Sequence, residues 1–172
     1  IVREGLAAYP KTAAVYIRPM YWAIAGDELG IVPKPDETGF AICLEEIPMA
    51  PQGAATTLTT TQFCRPTLSS SVVNAKAGCL YPNNARMLSE ARAKGFGNAL
   101  VADALGNVAE TATANVFMVR DGEILTPVPN GTFLSGITRA RHIANLAKDG
   151  VKVTETVLSF DDFRTADEVF LS

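Results

Sequence analysis

Histidine is almost missing from this sequence, since His142 is the only one in 172 residues. A metal centre built from several histidines is therefore excluded, and we expect no metal site. A serine–histidine mechanism would have to use His142, which we expect to face solvent on a helix. Cysteine is also scarce. Cys43, Cys64 and Cys79 are odd in number and widely spaced, which indicates reduced thiols in a cytoplasmic protein and not a disulfide framework.

Long apolar runs and basic clusters are absent as well. No stretch approaches the ~20 apolar residues that a membrane-spanning helix needs, so we expect no membrane partner. Lys and Arg number 15 against 18 Asp and Glu, which gives a net charge of −3 and argues against nucleic acid as a partner. The hydrophobic content of 48% is typical of a globular core. The length suits one domain, or one domain with part of another.

The first part of the chain predicts a small number of strands before a boundary. Residues 13–18 have a strand pattern with Pro19 at its exit, and residues 40–44 form a second short strand. Prolines 48 and 51 cannot continue a β-ladder, so a boundary is expected at residues 47–52. Because the chain opens in a helix-like run and stops in a strand-like run, we expect it to be incomplete at both ends.

The second part predicts a mixture of strands and helices. Asp121-Gly122 between strand-forming residues is a strong hairpin signal. Ser159, with Asp162 three residues on, predicts the N-terminal cap of a short helix. Helices are predicted at 82–94 and 137–148. The second helix carries its apolar residues on one face: Ile137, Ala140, Ile143, Ala144 and Ala147.

Lys76 stands among small, weakly polar residues, in the segment Asn-Ala-Lys-Ala-Gly-Cys-Leu-Tyr. An amine attacks an aldehyde only when it is neutral, and apolar surroundings favour the neutral form. A lysine in such surroundings can form a Schiff base. Taken alone, an exposed loop lysine is the commoner interpretation, because lysines are rarely buried.

Two further segments point to the same chemistry. Glu110 follows a strand-like run among small residues, and a buried carboxylate is costly unless it meets a cation such as a protonated pyridine nitrogen. Gly136-Ile137-Thr138 opens a helix, where free backbone N–H groups and a hydroxyl could hold a phosphate. Each has an ordinary alternative: a strand-end glutamate in the first case, and a plain helix cap in the second.

The motifs together resemble one family. Lys-x-Gly-x-x-Tyr, Glu at +34, Asn-Val-Phe, Asp-Gly, Leu-x-Gly-Ile-Thr-Arg and Ala-Asp-Glu-Val-Phe occur in the order seen in the class IV, fold-type IV pyridoxal-phosphate aminotransferases. Tyr16-Ile17-Arg18-Pro19 resembles the branched-chain amino acid branch of that family. An exposed strand surface would explain Tyr16 and Arg18 equally well.

The resemblance implies a role for each of these residues. Lys76 would carry the cofactor as a Schiff base and move the proton during transamination. Glu110 would pair with the pyridine nitrogen, and Tyr81 with the phenolic oxygen. Leu134 and Thr113 would flank the ring. Phosphate would be held by Ile137 and Thr138, and substrate by Tyr16 and Arg18.

The resemblance also implies an architecture and a reaction. The α+β fold would comprise the C-terminal part of a small α/β domain (residues 1–46), a linker (47–52) and a pseudobarrel cofactor domain (53–172), in a homodimer or higher oligomer. The reaction would pass an amino group from a branched-chain L-amino acid to 2-oxoglutarate. D-amino-acid aminotransferase and aminodeoxychorismate lyase share most of the motifs and stay open as alternatives. So does a non-catalytic domain that binds a ligand or a protein partner.

Overall fold

The computed structural model describes residues 1–51 and 53–172; Gln52, which falls in the predicted linker, lies outside the described residues. The described chain divides into two compact units, Ile1–Ala54 and Ala55–Ser172. No helix in these residues is long and apolar enough to cross a membrane.

The first unit is built on a two-stranded antiparallel sheet. Helix α1 (Val2–Leu6) precedes strands β1 (Val15–Ala23) and β2 (Thr38–Glu46). The strands pair without a break from Val15 opposite Glu46 to Ala23 opposite Thr38. The prediction that β1 ends before Pro19 is therefore wrong. Because β1 pairs with β2 alone among the described strands, proline fits on its unpaired edge.

The second unit contains two sheets, and helices pack against both of them. Strands β3 (Leu58–Cys64), β4 (Asn98–Ala102) and β5 (Val108–Thr111) form the first sheet, in which β3 and β4 are parallel. Helix α2 (Tyr81–Ala93) buries Met87 and Ala91 against this sheet, next to residues of β4 and the end of β5. This packing fixes where α2 begins relative to the end of β5.

The second sheet has the strand order β8-β7-β6-β9. Strands β6 (Val116–Arg120) and β7 (Glu123–Pro127) form the hairpin predicted at Asp121-Gly122, whose backbones have positive φ values of 52° and 77°. Helix α3 (Ile137–Lys148) leads to β8 (Val153–Thr156), helix α4 (Phe160–Arg164) and β9 (Glu168–Leu171). At α4, Ser159 and Asp162 form the predicted capping box. Helices and sheets in one chain confirm the predicted α+β class.

Most of the apolar residues predicted on one face of α3 are exposed, and Ile143 is half-buried. Ile137 is 91% exposed, whereas Arg139 is buried and donates to the Glu155 carboxylate. His142 is half-buried and does not point into solvent as predicted, because its ring stacks on the rings of Phe117 and Phe170. The distances between ring centroids are 6.2 and 6.4 Å. The helix thus turns a charged and aromatic face inward, and the small apolar side chains of the predicted face lie outward.

Candidate active site

A cavity of about 410 Å³ lies in the second unit. Its volume is in the range of small-molecule sites. The structure brings five of the predicted cofactor residues together in its wall, and they come from three separate segments of the chain: Lys76, Tyr81, Glu110, Thr113 and Leu134. An amine, a phenol, a carboxyl group and an apolar side chain therefore face one cavity.

Lys76 and Tyr81 reach the cavity from the chain that enters α2. A single 3-10 turn, Gly78–Leu80, separates them, and Pro82 sits in the first turn of α2, where a missing N–H costs nothing. Leu80 is buried and anchors this turn, while Lys76 and Tyr81 are exposed. The apolar enclosure predicted for Lys76 is therefore not seen; its amine faces a cavity that is open to solvent.

Glu110 lies at the end of β5 and is 8% exposed. Its Oε1 atom is 3.1 Å from Nε of Arg65, which is itself only 3% exposed. Burial raises the pKa of the Glu110 carboxyl to about 7, because water no longer stabilises the charged form. The positive charges of Arg65 and Lys76 oppose this effect without cancelling it.

Arg65 also lines the cavity, and the sequence analysis did not predict it as a site residue. Its Nε hydrogen is donated to the Thr132 carbonyl at 3.1 Å, and Nη1 donates to Oδ1 of Asn84 at 2.8 Å. These partners fix the guanidinium beside Glu110. The expectation that a buried Glu110 needs a cation pointed to a basic partner. Arg65 is far from Glu110 in the sequence, however, so the spacing of residues could not identify it as that partner.

Asn115 was also missed as a site residue, although Asn-Val-Phe was noted as a motif. Its side chain is buried and donates to Glu110 Oε2 at 3.2 Å and to the Leu134 carbonyl at 3.0 Å. Its Oδ1 accepts the Gly136 N–H at 3.2 Å. One amide thus joins the carboxylate to the turn that opens α3.

The predicted phosphate residues lie at the first turn of α3. Ile137 and Thr138 are exposed and do not line the cavity, but Leu134, three residues before Ile137, does. Gly136 is the N-cap residue, and among the described residues no side chain caps the helix. The first backbone N–H groups of α3 therefore have no partner within the helix, which leaves them able to bind an anion.

The remaining predicted residues are placed as follows. Thr113 accepts a hydrogen bond from Asn98 Nδ2 at 2.9 Å, and this bond orients its side chain. Tyr16 and Arg18 lie in the first unit, on exposed positions of β1, where they pair with Glu45 and Cys43. Since successive side chains of a strand alternate, Tyr16 and Arg18 share one face of the sheet. The described residues hold no cluster of three or more acidic, histidine or cysteine side chains suited to a metal.

Comparison with known proteins places this geometry in context. The profile of the family described as amino-transferase class IV matches residues 1–172. A branched-chain-amino-acid aminotransferase of Escherichia coli (strain K12) is 42% identical over 99 residues, which cover 57% of this chain and 32% of that protein. The chain thus spans about a third of the length of this curated relative.

Two solved structures show the same fold. One is an aminotransferase from Brucella abortus bound to the cofactor PLP; it is 61% identical, with a TM-score of 0.95 over 99% of this chain and 61% of that one. The other is a branched-chain aminotransferase from the thermophilic archaeon Thermoproteus uzoniensis with norvaline, 28% identical, with a TM-score of 0.85 over 99% of this chain and 57% of that one. These matches confirm the predicted fold.

Proposed function

Because this chain belongs to the class IV amino-transferase family, we propose that the protein binds pyridoxal phosphate and transfers the amino group of a branched-chain L-amino acid to 2-oxoglutarate. The observation that carries the proposal is one cavity lined by the amine of Lys76 and the buried carboxyl of Glu110. These two groups serve the two reactive ends of this cofactor, an aldehyde and a ring nitrogen.

The chemistry of the cavity wall fits the cofactor. When bound, pyridoxal phosphate supplies an aldehyde that condenses with amines and a ring that withdraws electrons from the carbon next to the amine. Lys76 offers the amine, and Tyr81 offers a phenol for the ring oxygen. Leu134 gives an apolar surface for one face of the ring, and Thr113 lies in the same wall.

Glu110 serves to keep a proton on the ring nitrogen. Burial raises the pKa of Glu110 to about 7, because it removes the water that stabilises the ionised carboxylate. A cation beside the carboxylate replaces that stabilisation, so Glu110 is well suited to pair with a protonated ring nitrogen. Arg65 holds one oxygen of this carboxylate at 3.1 Å and limits its motion. The ionised and fixed carboxylate of Glu110 would hold a proton on the ring nitrogen of a bound cofactor.

Lys76 serves as the acid and base of the reaction. With the cofactor bound, its Nζ atom would take the proton from the substrate α-carbon and would hold it for return during the transfer of the amino group. An amine on a loop next to a 3-10 turn has the freedom to reach that carbon. The N–H groups of Ile137 and Thr138, with the Thr138 hydroxyl, hold the phosphate at the start of α3.

The choice of substrate is supported by relatives and by β1. The E. coli relative is a branched-chain-amino-acid aminotransferase, and the Thermoproteus uzoniensis structure holds norvaline, an amino acid with an aliphatic side chain. Tyr16 and Arg18 share a strand face, so an aromatic ring and a cation are available together for substrates with apolar or carboxylate side chains. A homodimer and a cytoplasmic location remain predictions from the sequence.

The first test is covalent labelling. The intact protein is incubated with pyridoxal phosphate, its visible absorbance is recorded, and borohydride reduction and peptide mapping locate the adduct. We expect one adduct, on Lys76. Lys76→Ala should abolish it, and Lys94→Ala is the matched control, since Lys94 pairs with Glu90 at 2.7 Å outside the cavity wall. No adduct on Lys76 in a folded protein would refute the proposal and favour a non-catalytic domain.

A second test separates the reactions that use the same cofactor. The protein is supplied with 2-oxoglutarate and either L-leucine, L-isoleucine, L-valine or D-alanine, and the glutamate and 2-oxo acid formed are measured. We expect glutamate from the branched-chain L-amino acids. Glutamate from D-alanine alone would point to D-amino-acid transamination, and turnover of aminodeoxychorismate to pyruvate would point to lyase chemistry.

A further inference from the structure

We propose that Asn115 is a positioning residue that holds the Glu110 carboxylate in register with the 134–136 turn, so that both ends of one bound cofactor meet their partners. This inference rests on the proposed function. Glu110 lies where the ring nitrogen would bind, and the turn leads into the α3 N-terminus where the phosphate would bind. Asn115 contacts both.

Every hydrogen-bonding group of the Asn115 side chain is used. One N–H points to Glu110 Oε2 at 3.2 Å, the other to the Leu134 carbonyl at 3.0 Å, and the oxygen accepts the Gly136 N–H at 3.2 Å. Reversing the amide would set its oxygen against a carboxylate and a carbonyl. The network therefore admits one orientation of this side chain, which is what a positioning role requires.

The backbone around Asn115 is fixed as well. The residue is 6% exposed, it directly precedes β6, and its carbonyl accepts the Ser172 N–H at 3.1 Å. On the other side, a Cβ atom built on Gly136 would overlap with Asn115 Oδ1. The close approach of the turn and the amide thus depends on glycine at 136.

The two oxygens of Glu110 are held by different kinds of partner. Arg65 binds Oε1 and brings a positive charge, whereas Asn115 binds Oε2 and brings none. Loss of Asn115 leaves the carboxylate free to rotate toward Arg65. It also frees the Leu134 carbonyl and the Gly136 N–H, so that the turn loses its link to the carboxylate.

The test uses the intact protein, pyridoxal phosphate labelled with ¹⁵N in the ring, and two variants, Asn115→Ala and Asn115→Asp. The pH at which the ring nitrogen loses its proton, read from its ¹⁵N signal, should fall by about one unit or more in Asn115→Ala. Since a hydrogen bond to a charged group is involved, the Kd for pyridoxal phosphate should rise roughly tenfold to hundredfold. Pyridoxal, which lacks the phosphate, should lose less affinity than pyridoxal phosphate.

The Asn115→Asp variant adds a readout that a merely structural role would not give. When its new side chain is protonated, the carboxylic acid can donate to Glu110 as the amide does. Asn115→Asp should therefore regain affinity as the pH falls, while Asn115→Ala should not. The matched control is Thr126→Val, which removes another buried hydrogen bond, from Thr126 Oγ1 to the Val116 carbonyl at 2.8 Å, away from the cavity wall. This control should leave the ring-nitrogen signal unchanged.

The inference fails if both Asn115 variants keep the wild-type pH profile of the ring nitrogen and a Kd within about twofold of wild type. It also fails if Thr126→Val shifts the signal as far as they do, since general destabilisation would then explain the effect. Failure of the proposed function looks different, because the wild-type protein itself would then form no adduct on Lys76.

Discussion

The raised pKa of Glu110 makes a quantitative prediction about stability. The folded-state pKa is about 7, whereas the ordinary value is 4.5. The folded protein therefore holds this proton more tightly than the unfolded chain does. The resulting stabilisation is complete below pH 4.5, declines as the pH rises, and is gone above pH 7. At 1.36 kcal/mol for each pH unit between the two values, the loss amounts to about 3 kcal/mol.

The assay is urea unfolding of the cofactor-free protein at several pH values between 4.5 and 8. Wild type should lose about 3 kcal/mol of unfolding free energy over this interval through Glu110, and Glu110→Gln should lack that part of the slope. Glu155→Gln is the matched control, because Glu155 also pairs with a buried arginine but its own side chain is 44% exposed. The control should keep the wild-type slope.

The reasoning would be refuted if Glu110→Gln and wild type lost stability in parallel across this pH range. That result would mean that Arg65, 3.1 Å away, keeps Glu110 ionised in spite of its burial. Bound pyridoxal phosphate gives an independent check. A protonated ring nitrogen beside the carboxylate favours its ionised form, so the slope due to Glu110 should flatten in the holoprotein.

Two other substitutions probe the structure around the site and the second sheet. Gly136→Ala should cost about 1–3 kcal/mol of stability in urea unfolding and weaken pyridoxal phosphate binding, because its Cβ would overlap with Asn115 Oδ1; unchanged binding would show that the turn can move. Ser159→Ala should cost about 1 kcal/mol, since it removes the capping hydrogen bond with Asp162. It should also raise the pKa of Asp162 from about 2, which NMR titration of the carboxyl would detect.

Local patterns in the sequence predicted most of the elements correctly. The hairpin at Asp121-Gly122 and the capping box at Ser159 depend on a few adjacent residues, so their signals are complete within the sequence. The prediction that β1 ends at Pro19 was wrong, because a proline ends a strand only where its missing N–H would have to bond to a neighbouring strand. Pro19 lies on an edge strand, where no such bond is lost.

Helix α3 shows where such patterns fail. Its apolar positions predict a buried stripe, yet the structure buries Arg139, whose guanidinium reaches the Pro127 carbonyl and the Glu155 carboxylate. A buried arginine is tolerated only when such acceptors are in place, and these acceptors come from distant parts of the chain. Helical periodicity carries no information about these acceptors, so it predicts that the more apolar face of α3 is the buried one.

Only some residues of the candidate site could be predicted from the sequence. Family motifs directed attention to Lys76 and Glu110, which the fold does bring to one cavity. Arg65 acts on Glu110 through an ion pair and Asn115 through a hydrogen bond, and neither residue type is unusual at its place in the sequence. Residues that carry chemistry could therefore be predicted from their type and order, whereas residues that hold them in place became visible only through three-dimensional contacts.

The pKa of Glu110 links cofactor binding to proton release. Because burial raises its pKa to about 7, the Glu110 carboxyl of the cofactor-free site holds a proton at a higher pH than an ordinary carboxyl group does. A protonated ring nitrogen needs the ionised form as its partner, and its arrival expels that proton. Binding of a cationic ring must then tighten as the pH rises toward 7, until the ring itself begins to lose its proton. Arg65 reduces the cost of ionising Glu110, and Asn115 sets the direction in which the ionised group points.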